Sequence, residues 1–351
     1  MKYLCVLGLA SLGLASAIQP VNETQGLEKR GVYAGRPASD FKVALSSLAD
    51  ANLFSCPSAD QRVRQSQILL RARRGRVLQL WQRAEAAHPM QRLLDSGDWS
   101  GIGGYVAVDT YRREIVVSFR GTNNFRNWIT DVSFSLEACS FTDGCMVHSG
   151  FSDAWGEVSD AVVKAVWAAR RSYPRFRVVT TGHSLGAAVA TIATAHLRRS
   201  GYVVDCFTYG SPRVGNEQFV NYLSRGRGRH WRVTHLDDPV PRLPPLVLEY
   251  RHVSPEYWLS NGAETQDSYG IRDLLVCEGT YNTNCNGQTE GFALDAHRHY
   301  FRDITACAPS ATAWKRSVEE VSKEDLEARL TAWSRMDREY ADNMKYYYKV
   351  E

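Results

Sequence analysis

Beyond residue 17 the chain has no apolar run approaching the ~18 residues that cross a bilayer, so nothing in it reads as a membrane-spanning helix. It has no HExxH and no CxxC pairing, which leaves no recognisable protein metal site, and neither metal nor cofactor is expected. It has little excess of either charge, with 42 Lys and Arg against 38 Asp and Glu, and that balance offers little for nucleic acid. It also has no internal repeat, which sets solenoids and propellers aside.

What is present begins with the leader MKYLCVLGLASLGLASA, a basic residue, an apolar core and a small-residue ending, the pattern of a secretory signal over residues 1–17. Residues 18–30 are polar and close on Lys29-Arg30, a dibasic processing site, so they read as a propeptide. The product is expected to be secreted and extracellular. Seven cysteines remain after Cys5 leaves with the signal, and an exported chain pairs them. The odd one is expected to be Cys206, in the buried-strand run VVDCFTYG.

From Tyr105 the chain alternates strand and helix, which implies an α/β fold with a mostly parallel central sheet flanked by helices. YVAVD and EIVVSF read as strands, residues 151–172 as a helix stopped by Pro174, 177–181 as a buried strand, and 185–199 as a helix ended by Gly201. CFTYG and WRVTH read as further strands joined by loops. Two segments stand apart. Residues 310–351 form a charge-mixed tail with Leu326, Leu330, Trp333 and Tyr340 on one helical face, and Ser322 with Asp325 resembles a helix-starting box. Within 41–92 lies an anomalous run, Gln61 to Arg92, with eight arginines against one acid, Glu85. It reads as a solvated basic helix, as a patch for anionic surfaces, or as a gene-model error, an alternative reading frame or a retained intron, that transcript sequencing would expose.

The chemistry concentrates in VVTTGHSLGAAVAT. A serine between two glycines, after a β-branched run and before a run of small helix formers, fits a sharp strand-to-helix turn that holds the Ser184 hydroxyl out above the sheet. The following helix N-terminus, with the Leu185 N–H, would face a developing oxyanion. A serine needs a base, and the base an orienting acid. Asp238, in THLDDPVPRLPP, fits the acid, with Asp237 as competitor; His297, in DAHRHYF, fits the base, with His299 as competitor.

TGHSLGAAVAT, YGSPRVGN, THLDDPVPRLPP, HVSPEYW and AHRHYF, in that order, resemble the secreted fungal lipases of the class 3 α/β-hydrolase family, from about Gly101 to Cys307. The resemblance implies an α/β-hydrolase domain over 31–309 with the C-terminal helical extension at 310–351, which is similar to that of plant-pathogen members. It implies the triad Ser184, Asp238 and His297, and an oxyanion hole of Thr122 and Leu185, with Asp131 steadying the Thr122 side chain. It implies a lid around Phe125, Trp128 and Ile129, and disulfides Cys139–Cys145, Cys277–Cys285 and Cys56–Cys307. The expected activity is that of a triacylglycerol lipase, working as a monomer on long-chain triglycerides at a lipid–water interface. A phospholipase A1, a feruloyl-type esterase and an inactive secreted binding or effector protein are the alternatives on the same fold.

Overall fold

The computed structural model describes residues 100, 102–121, 134–266, 268–304 and 322–347. The leader, the propeptide, the arginine-rich run, Cys56 and Cys307, Thr122, Asp131 and the lid residues Phe125, Trp128 and Ile129 lie outside the described residues.

The first two strands, β1 (Gly104–Asp109) and β2 (Glu114–Phe119), form an antiparallel hairpin. Asp109 makes its turn, because one carboxylate oxygen accepts the N–H groups of Tyr111 and Arg112 at 2.9 and 2.8 Å. The short antiparallel pair β3 (Leu136–Ala138) and β4 (Met146–His148), closed by the Cys139–Cys145 disulfide, leads into helix α1 (Ser149–Ser172). The helix buries Phe151, Ala154, Trp155, Val158, Val162 and Val166, the spacing of one helical face, and its ladder closes just before Pro174.

Then follow β5 (Arg177–His183), α2 (Leu185–Arg199), β6 (Val204–Tyr209), α3 (Glu217–Arg225), β7 (His230–His235), β8 (Glu256–Leu259) and β9 (Leu274–Cys277). The main sheet runs β1-β2-β5-β6-β7-β8-β9. Neighbours from β2 to β8 are parallel, and only the edge pairs are antiparallel. The α/β expectation therefore holds, with the parallel strands flanked by helices. Helix α2 is buried nearly all round, which explains its run of Ala, Gly and Thr: small side chains let it lie close against β2, β5 and β6. Helix α3 stands where the sequence suggested a loop. Asn216 starts it by accepting the Phe219 N–H, and Phe219, Val220 and Leu223 fill one face.

The tail is helical, α5 over Lys323–Tyr347; α4 is the short turn Leu294–Arg298 described below. Ser322 starts α5 as the sequence suggests, its hydroxyl accepting the Asp325 N–H at 3.0 Å. Leu326, Leu330 and Trp333 pack on Val240, Leu243, Phe134, Phe292 and Leu294. One contact goes beyond the predicted stripe. Asp337, on the docked face, lies 2.7 Å from Arg213, off the line of a hydrogen bond, with both side chains at most 3% exposed. The same carboxylate accepts the Leu246 N–H at 2.6 Å.

Buried histidines give the fold a pH dependence, His148 and His183 among them. His148 stacks on Phe151 with ring centroids 4.0 Å apart, and burial pushes its pKa down to about 4; burial pushes that of His183 down to about 3. Both are neutral when folded but take up protons near pH 6.5 when unfolded, so their contribution is complete above pH 6.5 and is lost as pH falls toward 4 and 3. Each adds a slope of up to about 1.4 kcal/mol per pH unit in that window. Urea midpoints measured from pH 7 to 4 should fall less steeply in His148→Phe than in the wild type; an unchanged slope would assign the acid lability elsewhere.

Candidate active site

Ser184 sits at the junction of β5 and α2 with φ 56° and ψ −128°, a left-handed backbone that a serine adopts only under constraint. The two glycines of the motif supply that constraint. A Cβ on Gly182 would lie 2.2 Å from the Gly186 carbonyl, and one on Gly186 would lie 2.4 Å from the Phe119 carbonyl. No larger residue fits either place without moving backbone. The turn is held further by the Ser184 N–H, which donates to Tyr209 O at 3.0 Å.

His297 reaches this serine from α4, a short helical turn. Its Nε2 lies 3.0 Å from Ser184 Oγ, and its Nδ1 lies 2.9 Å from both carboxylate oxygens of Asp238. With a carboxylate facing Nδ1, the proton belongs there, and Nε2 is left to accept from the serine hydroxyl. The competitors fall elsewhere. His299 bridges to Asp303, and the Asp237 carbonyl accepts a guanidinium N–H from Arg242.

Asp238 is fully buried just after β7. Burial alone would raise its pKa, but the facing His297, the Tyr300 hydroxyl and the Val240 N–H outweigh it and hold the carboxyl below its ordinary 3.8. Tyr300 donates to Asp238 at 2.5 Å, and burial followed by that carboxylate pushes its own pKa well up, so it stays a neutral donor. The acid is thus an anion with its lone pairs occupied and its partner imidazole fixed.

Sequence reasoning missed several supports. The His183 ring lies 4.5 Å from that of His297, and its Nε2–H donates to the His297 carbonyl at 2.8 Å. Arg242 donates to Asp237 O, Thr289 O, Gly291 O and Ser334 Oγ, tying the acid-bearing loop to the base-bearing segment and to the tail helix. Asn286, the residue after the Cys277–Cys285 disulfide loop, donates to Leu236 O and Asp238 O. Cys206 is the free, buried cysteine among the described residues.

Gly210 lies beside the acid and base with φ +55°; a Cβ there would stand 2.8 Å from Asp238 Oδ2 and 3.0 Å from His297 Nδ1. Gly210→Ala should therefore separate the pair and lower kcat on a soluble ester by on the order of a hundredfold, with KM little changed. A kcat within twofold of wild type would contradict this.

A serine at a strained elbow, an imidazole on its hydroxyl and a buried carboxylate behind the imidazole form the constellation of serine ester hydrolases. The family model "Lipase (class 3)" matches residues 116–248. A "Secreted mono- and diacylglycerol lipase 1" from Fusarium solani is 50% identical over 248 residues, 71% of this chain and 73% of that one. A "Secreted mono- and diacylglycerol lipase A" from Penicillium cyclopium is 38% identical over 220 residues, covering 61% and 70%. Among solved structures, the mono- and diacylglycerol lipase from Aspergillus oryzae superposes with a TM-score of 0.63 at 30% identity, covering 78% of this chain and all of that one. The chain belongs to the class 3 lipase family. It is a secreted lipase, with lipid esters as its substrates.

Proposed function

We propose that this lipase hydrolyses acylglycerols at a lipid surface, with Ser184 as nucleophile, His297 as general base and acid, and Asp238 as the group that orients the imidazole. The reading rests on the unbroken hydrogen-bonded chain from Ser184 Oγ through His297 to Asp238. Ser184 attacks the ester carbonyl while His297 Nε2 takes its proton. The tetrahedral oxyanion is held by the Leu185 N–H at the start of α2, with Thr122 as second donor and Asp131 behind it. His297 then gives its proton to the departing glycerol oxygen. Water, deprotonated in turn by His297, attacks the acyl-enzyme, and the fatty acid leaves with Ser184 restored.

Mono- and diacylglycerols are the preferred substrates in this reading, because the relatives from Fusarium solani and Penicillium cyclopium carry those substrates in their names. Triacylglycerol hydrolysis is the second reading, and a lid of Phe125, Trp128 and Ile129 that opens on oil favours it. Emulsions of mono-, di- and triacylglycerol, phospholipid vesicles and methyl ferulate, each assayed beside Ser184→Ala, separate these. Fatty acid release fastest from the partial glycerides and absent in the mutant is expected. Release confined to triacylglycerol would reverse the preference, and release confined to phospholipid or ferulate would replace the acylglycerol reading.

A further inference from the structure

In a parallel sheet every strand begins at the same end, and here that end is basic. The turn 110–113 and the links 170–177, 198–203 and 225–229, which enter β2, β5, β6 and β7, hold eleven arginines and no acid, whereas the whole chain exceeds neutrality by only four charges. Some of these arginines have local work. Arg170 donates to Pro174 O and Phe176 O, and Arg198, itself buried, donates to Val204 O, Leu223 O and Arg229 O. Arg112 and Arg177 face Asp109 and Asp205. Favourable placement of cations at helix C-termini accounts for part of the rest.

It accounts for Arg171 and Arg225, in the last turns of α1 and α3, but not for Arg175 and Arg227; all four are exposed and have no carboxylate against them among the described residues. Nor does it account for the aromatic faces beside them. Trp167 is 54% exposed with the Arg171 guanidinium 4.7 Å from its ring, and Tyr111, in the same basic turn as Arg112 and Arg113, is 73% exposed. The buried Arg198 pins two of the basic links together, so the charges sit on a fixed platform.

We infer that this end of the sheet is a docking surface for an acidic polysaccharide, a polymer of uronic acid units. Arginine forks match carboxylates in pairs, and exposed aromatic rings offer flat apolar faces to sugar rings. Position decides against a bilayer as the occupant. Ser184 and Asp238 follow the opposite ends of the strands, and β5 alone, seven residues long, separates the two ends by roughly 20 Å. Lipid bound at the basic end would face away from Ser184, whereas a matrix polymer bound there leaves the site open to substrate. The lipase is thereby held on an anionic matrix with its active site outward.

The test uses the full chain with polygalacturonate-coated beads. Retention at low salt, release at high salt, and undiminished hydrolysis of a soluble short-chain ester by the bound enzyme are expected. The combined variant Arg171→Glu, Arg175→Glu, Arg225→Glu and Arg227→Glu should bind about tenfold more weakly or worse, with kcat and KM on the wild-type values and an unfolding midpoint lowered only by the two charges reversed at helix ends. Unchanged retention of that variant overturns the proposal. So does loss of retention only when the arginines of 61–92 are replaced instead. Tighter binding to phosphatidylserine vesicles or to duplex DNA than to polygalacturonate would replace the polysaccharide with that partner. Equal retention on uncharged dextran beads would remove the electrostatic basis altogether.

Discussion

Alanine in place of Ser184 is expected to leave a folded protein whose kcat on any ester is lower by on the order of 10⁴- to 10⁶-fold. Alanine keeps the Cβ and meets the same backbone constraint at φ 56°, so the elbow formed by Gly182 and Gly186 is not disturbed. What is lost is the oxygen that lies 3.0 Å from His297, and with it the covalent route. Replacing His297 with alanine should cost a comparable factor, and the double mutant little more than either single one, because the pair acts as a unit. Rates on a soluble ester beside thermal midpoints for all three variants check this. A Ser184→Ala enzyme that keeps a hundredth of wild-type activity would remove the serine from the reaction.

The largest stability effect is expected in the tail. Asp337→Ala leaves the guanidinium of Arg213 buried without its counter-charge and the Leu246 N–H without its acceptor, a loss of about 3–5 kcal/mol. Arg213 retains bonds to the Arg242 and Pro244 carbonyls, so its charge stays in the core and cannot escape to water. The double change Arg213→Met with Asp337→Leu should therefore recover much of the loss, since an apolar pair has no stranded charge. Urea unfolding of Arg213→Met, of Asp337→Leu and of the double variant, beside Asp337→Ala, measures it. If the two single losses simply added in the double variant, the residues would not be coupled and the tail would be docked by its apolar stripe alone.

How far the sequence reached depended on whether the determining interactions were local. The elbow was legible because two glycines, a β-branched strand and a small-residue helix lie within one short run. The stripe of Leu326, Leu330 and Trp333 was legible for the same reason, and Asp337 continues it at helical spacing. A charge on an apolar face was the available sign of a buried partner, but Arg213 lies more than a hundred residues away in sequence. Strands β8 and β9 are buried along their length and show no alternation, and α3 is only nine residues long, which is why these elements were weak in the pattern. His183 at the end of β5, and Arg242 and Asn286 in turns outside the main strands, act on backbone carbonyls, a role that side-chain identity does not signal. Tyr300 is different: it stands three residues after His297, in a block already singled out, and only the fold turns it onto Asp238.

Labelling with an alkyl phosphonate ester tests most directly whether Ser184 is the nucleophile, because phosphorus captures the attacking oxygen in a stable bond. One equivalent of adduct should form, activity should fall in proportion, and peptide mass spectrometry should find the adduct on Ser184, with none formed in Ser184→Ala. An adduct on another residue, or full inactivation with Ser184 unmodified, would contradict the catalytic role assigned to Ser184, His297 and Asp238.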